Sequence, residues 1–381
     1  MVAVKESETN RLVHRKFKNS RCVVIKIGSG LLVDQETNAL RVDWLKSVAA
    51  DVNELRLKGK KVVIVSSGSI ALGRKTLGLK SNNLILEESQ AAAAVGQILL
   101  AQSYQKSLGC YQIISAQILV TAEDSRNRRR YLNSRATLLK LLEMDAVPIV
   151  NENDTVATDE IRFGDNDRLA AQVASMCDAD ILILLSDVAG LYTSDPNLDP
   201  GAIHIPIVKK ITDEIESMAV DKKSTFSKGG MHTKLEAAKV SIAAGCHMVI
   251  ADGSCERPIS SVLSGQKSTW FISSDTPIDA RKQWIKSTKP KGEVFIDLGA
   301  EKAVMNGKSL LPAGVTKIVG RFARGDTVVI RSSSGRLLAR GLIGYSHEDV
   351  ELIRGCHSSK IKAILGHPGR SVLIHRNDMS L

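Results

Sequence analysis

No uninterrupted apolar run in the 381 residues approaches the roughly 20 needed to cross a bilayer, so the sequence predicts a soluble chain with no membrane partner. No secretory leader is expected either. The opening MVAVKESETNRLVHRKFKNSR is polar and basic without an apolar stretch, and Glu6 and Glu8 argue against an organellar presequence. Residues 1–20 are therefore read as a flexible N-terminal extension, and a cytoplasmic location is expected. The six cysteines (Cys22, Cys110, Cys177, Cys246, Cys255 and Cys356) form no CxxC pair, and the histidines show no clustering at metal-ligand spacing. These absences argue against a zinc framework, leave the cysteines as reduced thiols, and give no metal ligand by name. Also absent are the P-loop pattern GxxxxGKS/T, internal repeats and low-complexity tracts.

What remains is an ordinary globular composition, 43% hydrophobic and 24% charged, in a chain long enough to favour two folding units. The net charge of +11 suits a nucleic-acid binder and equally an enzyme acting on small anions, so charge does not choose between them.

From about residue 21 to 275, short β-branched apolar runs alternate with helical stretches, the signature of a parallel sheet flanked by helices. The runs predict strands at 22–27, 61–66, 111–115, 147–150, 180–185 and 247–251. Helices are predicted at 42–57, 87–108, 130–143, 167–177 and 231–244. Most of the strands are apolar throughout, as expected where helices cover both faces, and ligands then bind at the strands' carboxyl ends. Residues 276–292, with Pro277, Pro290 and weak periodicity, read as a linker. Residues 293–371 read as a small β-rich barrel, with strands at 293–297, 315–319, 326–330, 337–342 and 372–375, and 372–381 as a C-terminal tail.

Five stretches at strand ends carry candidate chemistry. In VVIKIGSG (23–30), Lys26 precedes a glycine-bearing turn, an arrangement that admits a phosphate to backbone N–H groups and an ammonium. A lysine facing solvent is the bland alternative. In VIVSSGSIALG (63–73), Ser66, Ser67 and Gly68 end a strand before a helix, which suits a carboxylate or simple N-capping. NENDTVATDEIRFGDNDRLAA (151–171) concentrates more polar side chains than a turn and a cap require. An acid-rich loop of that kind could seat an amino group, orient lysines and support Mg2+. LLSDVAGLYTSDP (184–196) ends a strand at Ser186 and Asp187 and could frame a nucleotide or be a plain turn. In FSKGGMHTKLEAA (226–238), a glycine pair opens a helix that presents Lys234, the makings of an anion site or of an unremarkable helix start.

Taken in order, VIKIGSG, VSSGSIALG, NENDTVAT with FGDNDRLAA, LLSDVAGLYTSDP and GGMHTKLEAA resemble the glutamate 5-kinase branch of the amino acid kinase family. The tail, including SLLPAGV (309–315), resembles the PUA domain appended to many of its bacterial members. The resemblance implies an α/β fold, a three-layer αβα sandwich with a mainly parallel sheet, followed by a small PUA-like barrel. It implies phosphorylation of the γ-carboxylate of L-glutamate by ATP with Mg2+, giving L-glutamyl 5-phosphate, the first step toward proline. Inhibition by proline and assembly as a dimer or tetramer come with it.

By position, Lys26 and Lys234 would hold the transferring phosphoryl group and Asp167 would organise them. Ser67, Gly68, Asn151, Asp154, Asp165 and Asn166 would bind glutamate. ATP would lie against Lys26, Ser186, Asp187 and the run Lys228, Gly229, Gly230, Met231, His232, Thr233 and Lys234. Two departures stand out: Ser227 and Lys228 replace the usual Gly-Thr before the glycine pair, and Ser69 replaces a usual alanine, a change expected to matter little. Acetylglutamate, aspartate, carbamate or UMP as acceptor is the nearest alternative. RNA binding through the tail is the alternative from another class, although Arg321, Arg324, Arg331, Arg336 and Arg340 lack the interleaved aromatics of a stacking surface.

Overall fold

Along the first strand, β1 (Cys22–Ile27), side-chain alternation sends Val23, Ile25 and Ile27 to one face and Cys22 and Val24 to the other, and all five are buried. A strand that is apolar on both faces needs a cover on each. The computed structural model describes residues 6–34, 36–37, 39–79, 84–121, 123–124, 127–156, 166–196, 198–219 and 230–381, with side chains from residue 11 onward. The chain divides into two units, Met1–Pro277 and Ile278–Leu381.

In the first unit β1 is joined by β2 (Lys61–Ser66), β3 (Ser115–Val120), β4 (Val147–Glu152), β5 (Ile181–Ser186), β6 (Leu191–Tyr192), β7 (His204–Ile205), β8 (Ile207–Val208), β9 (His247–Asp252) and β10 (Ser268–Phe271). Eight of them form one sheet in the order β3-β4-β2-β1-β5-β9-β10-β8, and β6 pairs separately with β7. The run from β3 to β9 is parallel, while β10 lies antiparallel to β9. The connections carry α1 (Glu6–Asn19), α2 (Ser29–Leu32), α3 (Val42–Leu57), α4 (Ser69–Thr76), α5 (Leu86–Gly109), α6 (Arg128–Glu143), α7 (Asn166–Met176), α8 (Asp213–Ser217), α9 (Met231–Ala243) and α10 (Pro258–Leu263). One core packs Val23, Ile25 and Ile27 under α1, α3, α5 and α10, and the other packs Cys22 and Val24 under α6, α7 and α9. This is the expected three-layer sandwich. Each fully buried Val, Ile or Leu in these layers contributes roughly 1.5–3 kcal/mol of burial free energy.

Two expectations about this unit fail. Residues 1–20 do not fray from Glu6 onward: they form α1, whose Val13 and Phe17 join the core, and buried Lys60 donates to the carbonyls of Phe17 and Ser20 at 2.7 Å each. A lysine serving the open carbonyls of a helix end holds that end down. The strand expected at 111–115 lies at Ser115–Val120, because α5 runs to Gly109 and a turn with Gln112 at φ 57° follows it. As the outermost strand β3 is covered less than the others, so it lacks their continuous apolar signature.

From Ile278 on, α11 (Pro277–Ser287) belongs to the second unit, so the segment read as a linker is largely helix, begun by a proline at its first turn and anchored by buried Ile285. Its sheet, β12-β11-β13-β14-β15, contains β11 (Gly292–Ile296), β12 (Val315–Val319), β13 (Thr327–Ser332), β14 (Leu337–Leu342) and β15 (Met379–Ser380), antiparallel except where β11 meets β13. Residues 372–375 make only an isolated bridge, Leu310 with Ile374. The last ten residues are not a loose tail, since Leu373, Ile374 and Met379 are buried and β15 completes the sheet.

Candidate functional site

Strand parity decides what faces what at the carboxyl end of the sheet. Lys26 shares the face of Val24, the side covered by α7 and α9, and there Asp167 opens α7 while Lys234 lies in the first turn of α9. Lys26 Nζ stands 2.5 Å from Asp167 Oδ1, and Lys234 Nζ stands 3.4 Å from Asp167 Oδ2. The carboxylate is fully buried and the two lysine side chains are 11% and 6% exposed. Burial alone would push the Asp167 carboxyl up, but the two ammonium groups outweigh it and hold it below the ordinary carboxylate value. Its place in the first turn of α7 also sets a negative charge against the positive end of the helix dipole.

The opposite parity builds a second cluster on the α5 side. Ser66 ends β2 facing Tyr104, whose hydroxyl donates to Ser66 Oγ at 2.9 Å, and burial raises the Tyr104 phenol. Asn151 of β4 faces Gln97 and donates to its Oε1 at 2.7 Å. From α7, Asn166 Nδ2 lies within hydrogen-bond reach of Ser67 Oγ at 2.6 Å, Ser66 O at 3.1 Å and Asn151 Oδ1 at 3.1 Å. Asn166 Oδ1 is buried and has no partner among the described residues, an acceptor held ready in a polar site. Ser69 Oγ donates to Asp154 Oδ2 at 3.1 Å and lies 3.4 Å from Asn151 Nδ2. Burial pushes Asp154 up, opposed by the Ser69 bond.

Beside this network a cavity of about 270 Å³ is walled by Ala93, Gln97 and Ile98 of α5, Leu119 of β3, and Glu152 and Asp154. Gly68 turns the chain into α4 at φ 106°, a conformation that excludes a side chain at little cost only for glycine. The network is drawn tight by a helix crossing: a Cβ on Gly96 would lie 1.7 Å from Ser69 O, and one on Gly73 1.8 Å from Ala92 O. Any larger residue at either position would move α5, and Gln97 with it.

Asn166 and Asp167 are neighbours on α7, so one helix start joins the cationic pair to the amide network. Of the candidates read from the sequence, Lys26, Lys234, Asp167, Ser67, Asn151, Asp154 and Asn166 are brought into these two clusters, with Gly68 as the turn between β2 and α4. Ser186 and Asp187 end β5, the strand beside β1, and bond to each other at 2.9 Å. Gly230, Met231, His232 and Thr233 form the start of α9, where Thr233 Oγ1 donates to Gly230 O at 2.8 Å. Asp165, Lys228 and Gly229 lie outside the described residues. Sequence reading missed Gln97 and Tyr104, and it dismissed Ser69. A polar residue within the apolar stretch 91–100 of the helix, spaced four from Ala93 and three from Leu100 on the buried stripe, was the available signal for Gln97.

Two family descriptions match the chain: the Amino acid kinase family over residues 21–252 and the PUA domain over residues 292–365. The glutamate 5-kinase of Dinoroseobacter shibae is 56% identical over 362 residues, covering 95% of this chain and 98% of that one. Those of Ruegeria sp. and Rhizobium meliloti (glutamate 5-kinase 1) are 57% and 53% identical, covering 96% of this chain and 99% and 93% of theirs.

Proposed function

This chain belongs to the amino acid kinase family and carries a PUA domain after its kinase domain, and from that premise we infer that it phosphorylates L-glutamate on its γ-carboxylate with ATP, forming L-glutamyl 5-phosphate at the start of proline biosynthesis. The observation that carries the reading is the grip of one buried carboxylate, Asp167, on two lysines drawn from stretches about as far apart as the kinase domain allows. Near-full-length identity to glutamate 5-kinases selects the acceptor.

The chemistry asks for cations rather than a base. A γ-carboxylate with an ordinary pKa of about 4.3 is already ionised at neutral pH. The obstacle is repulsion: two like unit charges 4 Å apart cost roughly 4 kcal/mol at an effective dielectric of 20. A carboxylate oxygen attacks the terminal phosphorus in line, the bond to the bridging oxygen breaks, and ADP leaves with that electron pair. Lys26 and Lys234 offset the repulsion and stabilise charge on the three equatorial oxygens, while Asp167 keeps both ammonium groups aimed at one point. Asp154 receives the substrate's α-ammonium, and Ser67, Gly68, Asn151, Asp165 and Asn166 complete the glutamate seat.

The nucleotide lies along Ser186, Asp187 and the start of α9, where the backbone N–H groups of a helix N-terminus and its dipole suit a phosphate. Among the described residues no three acidic, histidine or cysteine side chains form a metal cage. That fits a Mg2+ arriving on the phosphates as MgATP, which needs only one or two carboxylates from the protein. Proline as an inhibitor, a homo-oligomeric assembly and a cytoplasmic site of action belong to the same reading.

The test is a coupled ADP-release assay on the full chain with glutamate, acetylglutamate, aspartate, carbamate and UMP, repeated with proline on the best acceptor. Turnover confined to glutamate and suppressed by proline supports the reading; turnover with another acceptor and none with glutamate overturns it.

A further inference from the structure

Ser69 occupies a junction where the buried amides meet an ionisable carboxylate. It is the first residue of α4 and 2% exposed, and its Oγ lies 3.1 Å from Asp154 Oδ2 and 3.4 Å from Asn151 Nδ2. Counting protons fixes the direction of the bonds. Asn151 Nδ2 has two protons, one given to Gln97 Oε1 and the other to Ser69 Oγ, while Asn151 Oδ1 accepts from Asn166 Nδ2. Ser69 has a single proton, and with its oxygen accepting from Asn151 that proton goes to Asp154. The result is a relay, Asn166 to Asn151 to Ser69 to Asp154, whose three bonds run in one direction and end on the carboxylate, while Asn151 gives its other proton to Gln97. Bonds aligned in this way polarise one another, and the last, to a charged acceptor, gains most.

We propose that Ser69 is a positioning residue for the acceptor substrate: it pins one oxygen of Asp154 through the relay, so that the other oxygen is presented to the α-ammonium of glutamate. The proposal rests on Asp154 being the seat of that ammonium. Around Asp154, α4 presents Ser69, α5 presents Gln97, and β4 with the turn after it presents Asn151, Glu152, Asn153 and Thr155. Among the described residues, Glu152 is therefore the other ionisable group on this wall. The Ser69 bond also opposes the burial that raises Asp154, so losing it favours the protonated, non-binding form.

The experiment is steady-state kinetics of the full-length protein, varying glutamate and ATP separately, on wild type, Ser69→Ala, Asp154→Asn and the double variant. Ser69→Ala removes one atom from the first turn of a helix, so folding is retained. The expected result is a KM for glutamate raised roughly fivefold to tenfold, the loss of about one hydrogen bond, with kcat and the KM for ATP within about twofold of wild type. On the Asp154→Asn background the same substitution adds nothing. The acid limb of kcat/KM for glutamate moves to higher pH in Ser69→Ala. An unchanged KM for glutamate in Ser69→Ala, effects that add on Asp154→Asn, or equal losses for both substrates overturn the role of Ser69 and leave the kinase reading standing. Should Asp154→Asn itself leave the KM for glutamate unmoved, the seat of the ammonium is elsewhere and the proposal falls with it. If wild type does not turn over glutamate, the function reading has failed first.

Discussion

Replacing Asp167 by asparagine keeps the size of the side chain and removes only its charge, which isolates what that charge does. In the native site its oxygens lie 2.5 Å from Lys26 Nζ and 3.4 Å from Lys234 Nζ. At an effective dielectric of 20 those separations correspond to roughly 7 and 5 kcal/mol of attraction before the cost of burying the ions is subtracted. Breaking one partner out of a buried ion pair costs about 3–5 kcal/mol in practice, and here two ammonium groups are left facing each other. For a unit of this size, a loss of about 3 kcal/mol lowers Tm by roughly 6–12 °C.

Bound ATP changes the balance, because phosphate oxygens supply counter-charge in place of the missing carboxylate. The variant should therefore regain more thermal stability from ATP than wild type does. Its kcat should still fall by a factor on the order of 100, since the ammonium groups are no longer held on the transferring group. The stability difference also depends on pH with a definite sign. The folded value of Asp167 is depressed, so its stabilising contribution is fully present above about pH 4 and is lost as pH falls through the folded value. Thermal melts with and without ATP at pH 7 and at pH 3.5, together with the ADP-release assay, measure all of this. Wild-type turnover in Asp167→Asn, or a smaller gain from ATP than in wild type, would refute the idea that this carboxylate organises the two lysines.

Lys26→Ala and Lys234→Ala should each lower kcat by a factor on the order of 100 or more in the same assay, with the far-UV circular dichroism of wild type retained. Gly96→Ala forces a Cβ toward Ser69 O, 1.7 Å away, so α5 must shift. We expect about 1–3 kcal/mol less stability in urea titrations and a higher KM for glutamate, since Gln97 and Ser69 move together. Phe17→Ala should cost about 3 kcal/mol by the same titration, because Phe17 is only 8% exposed and its ring packs on the core and under Lys60 Nζ.

Much of this was legible because both layers of meaning sat in short runs. CVVIKI and KVVIVS are apolar on both faces and carry a polar residue at or next to their carboxyl ends, so strand and helix cover could be read together, and both bounds match the structure. The pairing of Lys26 with Lys234 was legible only through resemblance, since nothing local ties two residues so far apart in the chain. What escaped reading depended on tertiary partners. The sequence MVAVKESETNRLVHRKFKNSR has few apolar residues, and α1 is stabilised by Val13, Phe17 and a lysine 40 residues on, none of it visible in local periodicity. The strand β3 was displaced because an edge strand carries a diluted apolar pattern. Ser69 looked neutral as a small residue for a small residue, and its weight appears only when Asp154, 85 positions away, is brought to its hydroxyl.

The site as folded also explains why two lysines can be buried side by side. Two lysines without a carboxylate would repel each other and draw in water or an anion. Two lysines with a carboxylate each would be neutralised and of little use to a phosphoryl group. One buried carboxylate set between two lysines is the intermediate case, offsetting their mutual repulsion while holding both in place. Asp167 carries that compromise, and its position in the first turn of α7 lets the helix dipole help to keep it ionised. The neighbouring Asn166 then presents uncharged amide groups toward the acceptor side, where a second full charge would recreate the repulsion that the lysines remove. A helix start with charge on one residue and a neutral amide on the next thus separates, on the function proposed above, the half of the site that would attract phosphate from the half that would orient a carboxylate.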